Sequence, residues 1–196
     1  MLTVEDGTGL ANADAYVSVA DADAYFAARS IAAWAAFDTT AKEVAIRAGT
    51  QWLDDTYRGL WKGFRTHDVQ SLAWPRDNSP GYSLLTIVRY VQPQTLAYLY
   101  DYDGFPIFAN TIPNSLKRAA FEAAYLAATG FDFVKNGSTA AITDTSRTVD
   151  RVSYTNKYAS PVTQRSAKLV AIDGILIGLI TARPGASFGM TRLIRA

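Results

Sequence analysis

Residues 113–130 read PNSLKRAAFEAAYLAATG, and this stretch decides the fold class. Pro113 stands where a first helical residue is favoured, because its fixed φ suits a helix and its missing N–H has no partner there anyway. Leu116, Ala119, Ala120, Ala123, Ala124 and Ala127 recur at helical spacing along one face, and Gly130 ends the run. A face built almost wholly of alanine carries little side-chain bulk, so it predicts a helix packed closely on another helix.

Working outward, three more segments supply helical partners. Thr40-Ala-Lys-Glu43 has the spacing of a capping box, and Ala41, Val44, Ala45, Ala48 and Trp52 share a face, which predicts a helix to Tyr57. Ser18, with Asp21 three residues on, predicts a shorter helix over about 19–29 carrying Ala22, Tyr25 and Phe26. Ser160-Pro161 opens a helix over about 161–181, with Leu169, Ile172, Leu176 and Ile180 in one stripe and Arg183-Pro184-Gly185 as its stop. Between them, residues 58–80 place glycines and prolines among aromatics and read as an ordered loop with burial anchors. Residues 136–147 read as an exposed loop and Thr148 to Tyr154 as a strand. In residues 82–100, broken by Pro93, strand and helix readings compete. The expectation is a mainly α protein: a small helical bundle over 1–185 with a minor β element, and an extended C-terminal tail over 186–196.

Composition narrows the function classes. With 196 residues, 49% of them hydrophobic, the chain can bury a core without metals or cross-links. No cysteine and a single histidine, His67, exclude a disulfide framework, a thiolate zinc site, a cysteine nucleophile and any site needing two imidazoles. The acidic start MLTVEDG is unlike a signal peptide, and the longest apolar candidate, Leu169 to Ile180, is interrupted by Asp173 and Gly174. A soluble protein with no membrane partner is therefore expected, at work inside a cell or a particle. The net charge of +1 hides an asymmetry: residues 1–55 sum to −6, residues 56–146 to +1 and residues 147–196 to +6. Such a split suits self-association by opposite patches, a basic tail on an acidic partner, or neutralisation within one fold.

Most motif candidates fail on spacing. Asp6-Gly7-Thr8-Gly9 approaches a dinucleotide fingerprint, but Asn12 replaces the third glycine and no useful strand precedes it. Gly185 to Gly189 is one residue too short for a phosphate loop, and Met190 stands where its lysine belongs. Asp101-Tyr102-Asp103-Gly104 has Ile112 in place of the bidentate glutamate of a calcium loop and reads as a tight turn. Adjacent Asp54 and Asp55 point about 100° apart on a helix and read as a solvated helix end. His67 with Ser71 could begin a hydrolase site but lacks a placed carboxylate. No enzyme and no cofactor is expected. The combination with more substance is aromatic and cationic: Trp61-Lys62-Gly63-Phe64-Arg65 and Trp74-Pro75-Arg76 interleave flat rings with cations, as single-strand binders do.

Taken together, VEDGTGLANADAYVSVADADAYFAARS, QWLDDTYRGLWKGFR, QSLAWPR, and DYDGFPI followed by IPNSLKRAAFEAAYLA resemble a family of tailed-phage proteins. These are described either as DnaT-like single-stranded-DNA-binding proteins or as head-to-tail adaptor (connector, head completion) proteins. The resemblance covers residues 4–77 and 101–130 well, and residues 78–100 read as an insertion. It implies a mostly helical structural virion protein, typically twelve copies in a ring beneath the portal. The ring extends the channel for packaged DNA towards a tail-side partner, after assembly in the host cytoplasm. It also implies that the tail docks on the portal, where Phe188, Met190, Leu193 and Ile194 would be apolar anchors and Arg192 and Arg195 charge-assisted donors. Under the alternative, single-stranded DNA would stack on Trp61, Phe64 and Trp74 while Lys62, Arg65 and Arg76 follow its backbone. Trp61, Trp74, Pro75 and Arg76 are also signature positions of the family, expected to be structural.

Overall fold

The structure, a computed structural model, describes residues 1–78, 98–131, 133, 142–148, 153–158 and 167–181. These form α1 (Val19–Ala27), α2 (Ala32–Ala35), α3 (Thr39–Tyr57), α4 (Asn114–Ala128) and α5 (Ala167–Leu176), with three two-stranded antiparallel sheets. The sheets pair β1 (Phe64–Arg65) with β2 (Arg76–Asp77), β3 (Leu99–Tyr100) with β4 (Pro106–Ile107), and β5 (Ile142–Thr148) with β6 (Ser153–Tyr158). The mainly helical expectation holds.

The centre of the fold is α3 against α4, and α5 packs on α4 while its Asp173 accepts the hydroxyl of Tyr57 from the end of α3. The alanine face works as its composition requires: Leu116, Ala119, Ala120, Ala123 and Ala124 are buried. On α3 the facing residue is Gly49, where a β-carbon would stand only 2.7 Å from the Ala124 amide nitrogen. Two helices approach this closely only where side-chain bulk is absent from both. That contact also turns α3 from its predicted face. Lys42, Ala45, Ile46, Gly49, Thr50, Leu53 and Tyr57 point inward. Ala41, Val44 and Ala48 are exposed and Trp52 is half-buried, because burying glycine at 49 rotates the apolar stripe by about one residue.

Helix ends follow local chemistry. Ser18 caps α1 in a full capping box with Asp21. The predicted box at Thr40 is not used, since Asp38 caps α3 instead, its carboxylate accepting the Ala41 N–H at 2.7 Å. Pro113 sits one position earlier than expected, as the N-cap of α4. At the far end Gly130, with φ +74°, allows the Phe131 N–H to reach the Leu126 carbonyl at 2.9 Å and its own N–H to reach that of Ala127 at 3.1 Å. This is a Schellman closure.

Two sequence expectations are overturned in the β regions. Residues 142–147, read as loop, form most of β5, and the single strand expected over 148–154 spans the end of β5 and the start of β6. Ile142 and the threonines at 143, 145 and 148 are β-branched and favour extended backbone, a preference that their polarity concealed. The last helix ends at Leu176, before the predicted 181, and Ile180 instead bridges to Trp61. Its stripe is right, for Leu169, Ile172, Leu176 and Ile180 are all buried. The short α2 was not expected. It inserts Trp34, 1% exposed, against Phe26. Residues 79–97, most of the stretch read as an insertion, and residues 182–196, including the expected tail, lie outside the described residues.

Candidate functional site

The tryptophans proposed as base-stacking platforms belong to the core. α3 ends at Tyr57, and the next turn is closed by the Trp61 N–H donating to the Tyr57 carbonyl at 3.1 Å. That turn folds the Trp61 ring inward, to 5% exposure, against Tyr57 and edge-on to Trp74 at 6.0 Å. Trp74 is 0% exposed, and its backbone N–H donates to the Tyr16 hydroxyl at 3.2 Å. Neither ring has a free face. Of the three aromatics named for stacking, Phe64 alone is exposed, at 49%, on β1.

The cations of the same segment are engaged with backbone. Arg76 reaches from β2 across the pair, donating from Nε to the Lys62 carbonyl at 2.8 Å, and its other nitrogens donate to the Gly63 and Ala73 carbonyls. Its fork fits three carbonyls, so it stitches the 62–76 loop shut. Desolvation lowers its pKa, although arginine remains charged. Arg65 donates to the Gln70 carbonyl at 2.9 Å and Lys62 to that of Tyr100 at 3.3 Å.

Beneath this loop lies a group that sequence reasoning misread. Asp54, expected as a solvated helix end, accepts the Tyr16 hydroxyl at 2.5 Å and the Ala73 N–H at 2.8 Å, tying three segments together. Burial pushes its carboxyl up from 3.8 to about 6, against the pull of those two hydrogen bonds. Tyr16 is likewise raised, by its own burial first and then by the Asp54 charge. Asp55 alone fits the solvated reading, exposed and paired with Arg58 at 3.2 Å. Both aspartates line a cleft of about 710 Å³ whose walls include Arg47, Arg65 and Arg76. Its arginines already hold carboxylates or carbonyls, Arg47 gripping Asp14 at 2.6 Å.

The remaining candidates resolve as structural. The Ser71 hydroxyl, which a nucleophile would turn towards a base, donates instead to the Ala13 carbonyl at 2.5 Å, and the backbone N–H of His67 donates to the Gln70 side chain at 3.0 Å. The Gly7, Gly9 and Leu10 N–H groups, which a dinucleotide reading would aim at phosphate, donate at 2.9 Å to the buried Glu5 carboxylate. Asp101 accepts from Asp103 and Phe105 within its own turn, as a tight turn requires. Among the described residues no cluster of three potential metal ligands occurs, and no helix is long and apolar enough to cross a membrane.

Sequence reasoning missed the exposed aromatic surface. β3 and β4 bury Leu99 and Ile107, while Tyr100, Tyr102, Phe105 and Phe108 are all at least half exposed. The alternation of Leu99 with Tyr100 and of Pro106 with Ile107 was the available signal. It covers only two residues per strand. The six portal-contact candidates, Phe188, Met190, Arg192, Leu193, Ile194 and Arg195, lie outside the described residues.

No curated protein and no solved structure matches this chain. A family profile does match, over residues 1–84 and 89–196, and so takes in all but four residues of the 78–100 stretch read as an insertion. With nearly the whole sequence matched, the chain belongs to the family described as "Putative DnaT-like ssDNA binding protein".

Proposed function

We propose that this protein is a structural, non-enzymatic subunit that assembles with copies of itself into a ring joining a phage portal to the tail, around the channel for packaged DNA. The carrying observation is the fate of the aromatic and cationic segment: Trp61 and Trp74 are core residues and Arg76 is held by three backbone carbonyls. Strand binding of the kind first envisaged needs open ring faces and free cations. The ring itself comes from the sequence resemblance. The charge split, −6 over residues 1–55 and +6 over 147–196, supplies unlike charges of the kind that a closed ring can bring together. In this reading the 186–196 tail is the portal contact.

The second reading is single-stranded DNA binding, and the family description favours it. It must then use other rings than the tryptophans. One experiment separates the two: native mass spectrometry and negative-stain imaging with and without the portal, beside a fluorescence titration with oligo-dT. Rings on the portal, lost when residues 186–196 are deleted, together with unquenched tryptophans, are the expected result. Salt-sensitive quenching by oligo-dT with no assembly would overturn the proposal.

A further inference from the structure

Among the described residues three aspartates precede a glycine: Asp6–Gly7, Asp103–Gly104 and Asp173–Gly174. Glycine has no β-carbon to crowd its amide nitrogen, so that nitrogen can reach the side-chain carboxyl of the residue before it wherever the backbone is free to turn. The fold treats the three pairs differently.

Two of them are locked. The Asp6 carboxylate accepts the Thr8 N–H at 2.9 Å and the Thr8 hydroxyl at 2.6 Å, while the Gly7 N–H donates at 2.9 Å to the buried Glu5 carboxylate, a charge-assisted bond. Gly7 also lies so close to residue 110 that a β-carbon there would overlap the Asn110 carbonyl oxygen, which leaves the segment no room to turn. Asp173 is buried on α5 and accepts the Tyr57 hydroxyl, and Gly174 lies inside the helical ladder that follows it.

The third pair is open. Asp103 and Gly104 form the tip of the β3–β4 hairpin, and both are exposed. The Asp103 carboxylate makes no ion pair among the described residues, and the bond of that residue within the turn is made by its backbone N–H, which donates to Asp101 at 3.0 Å. The Gly104 N–H reaches the Asp101 carbonyl at 3.3 Å, longer than an ordinary N–H···O bond. Gly104 has φ +86°, and a β-carbon on it would meet nothing within 4 Å, so the tip has room to rearrange.

We propose that Asp103–Gly104 is a self-modification site, where the chain isomerises to isoaspartate without an enzyme. The Gly104 amide nitrogen gives up its proton and bonds to Asp103 Cγ, and a carboxyl oxygen leaves as water, closing a succinimide. Solvent water then adds to a ring carbonyl. Addition at the α-carbonyl breaks its bond to nitrogen, and the main chain afterwards runs through Cβ and Cγ with the α-carboxylate free. No oxidant is needed and the mass is unchanged. The connection across the tip gains one carbon, between Asp101 and Phe105, which exchange two bonds at 2.9 and 3.0 Å. The outward rings of Tyr102 and Phe105 thereby lose their fixed spacing, so the modification acts as a timer on the exposed aromatic surface.

The test is ageing of the intact protein at mildly acidic pH, beside a sample held unfolded in urea, with isoaspartate located by tryptic mapping and electron-transfer fragmentation. The three pairs fall in separate tryptic peptides, as does Asn136–Gly137, whose own ring closure releases ammonia. In urea all three aspartates should isomerise at similar rates. In the folded protein Asp103 should keep that rate, while Asp6 and Asp173 slow by about tenfold or more, because each must first be released by local opening. Asp103→Glu, which keeps the charge at an exposed position, should abolish the product in its peptide. An Asp103 as slow as the other two in the folded protein, or an Asp6 or Asp173 as fast as Asp103, would overturn the proposal.

Discussion

Two neighbouring regions of this molecule have similar ingredients and opposite fates. Residues 57–77 and residues 98–108 both mix aromatics with glycine, proline and charge. In the first, Tyr57, Trp61, Leu72 and Trp74 are buried; in the second only Leu99 and Ile107 are, and four aromatic rings face outward. The difference lies in what brackets each segment. The first follows directly from α3 and is pinned by Arg76, Asp54 and the Ile180 bridge, so several elements cover it. The second is a pair of two-residue strands, and alternation gives each strand one inward position. Aromatic content alone therefore says little about recognition; the neighbours of a ring decide whether it can meet a ligand.

The sharpest test of that contrast is Trp74→Ala. Removing a fully buried indole from the first region should destabilise the fold by about 3–5 kcal/mol, read as a shift in the urea midpoint at unchanged slope. A midpoint like that of the parent would return Trp74 to the surface and revive the stacking platform.

The next test concerns the carboxylate under the same region. The pKa of Asp54 is about 6 in the folded protein against an ordinary 3.8. The native state thus binds a proton that the unfolded chain releases between those values. Its contribution to stability is fully present below pH 3.8 and lost as pH rises through about 6, a fall of about 3 kcal/mol. Asp54→Asn should flatten this slope in stability curves taken from pH 4 to 7. An unaltered slope would assign it to another group.

Asp54 also marks the limit of what the sequence could disclose. The helices were legible because their signals are local: Ser18 with Asp21, the alanine stripe from Leu116, Gly130 at the close. Whatever depends on distant partners was not. Asp54 and Asp55 are indistinguishable as letters, yet one meets Tyr16 from 38 residues away and the other an exposed arginine three residues on. The α3 face was misread by about one residue because Gly49 counts as a weak helix former in sequence and as a docking surface in the fold. The candidate stacking site was legible as residue types alone, and burial of two of its rings reversed its meaning.

The third test lies on that α3 misreading. Asp38→Ala should cost about 1 kcal/mol of stability through the lost cap, whereas Thr40→Ala should leave it nearly unchanged. Equal losses by thermal melting would restore the capping box at Thr40.

The smallest effect closes the comparison from its other side. Phe105→Ala removes a ring as bulky as many in the core, but one 67% exposed on the hairpin tip. With few folded contacts to lose, its unfolding free energy should stay within about 0.5 kcal/mol of the parent. Set beside Trp74→Ala, this gives two aromatic truncations about 30 residues apart in sequence whose effects differ several-fold, because one ring supports the fold and the other is held outward by it. A loss of 2 kcal/mol or more at Phe105 would mean that the hairpin is covered within its own chain. The contrast between the two regions would then be one of degree.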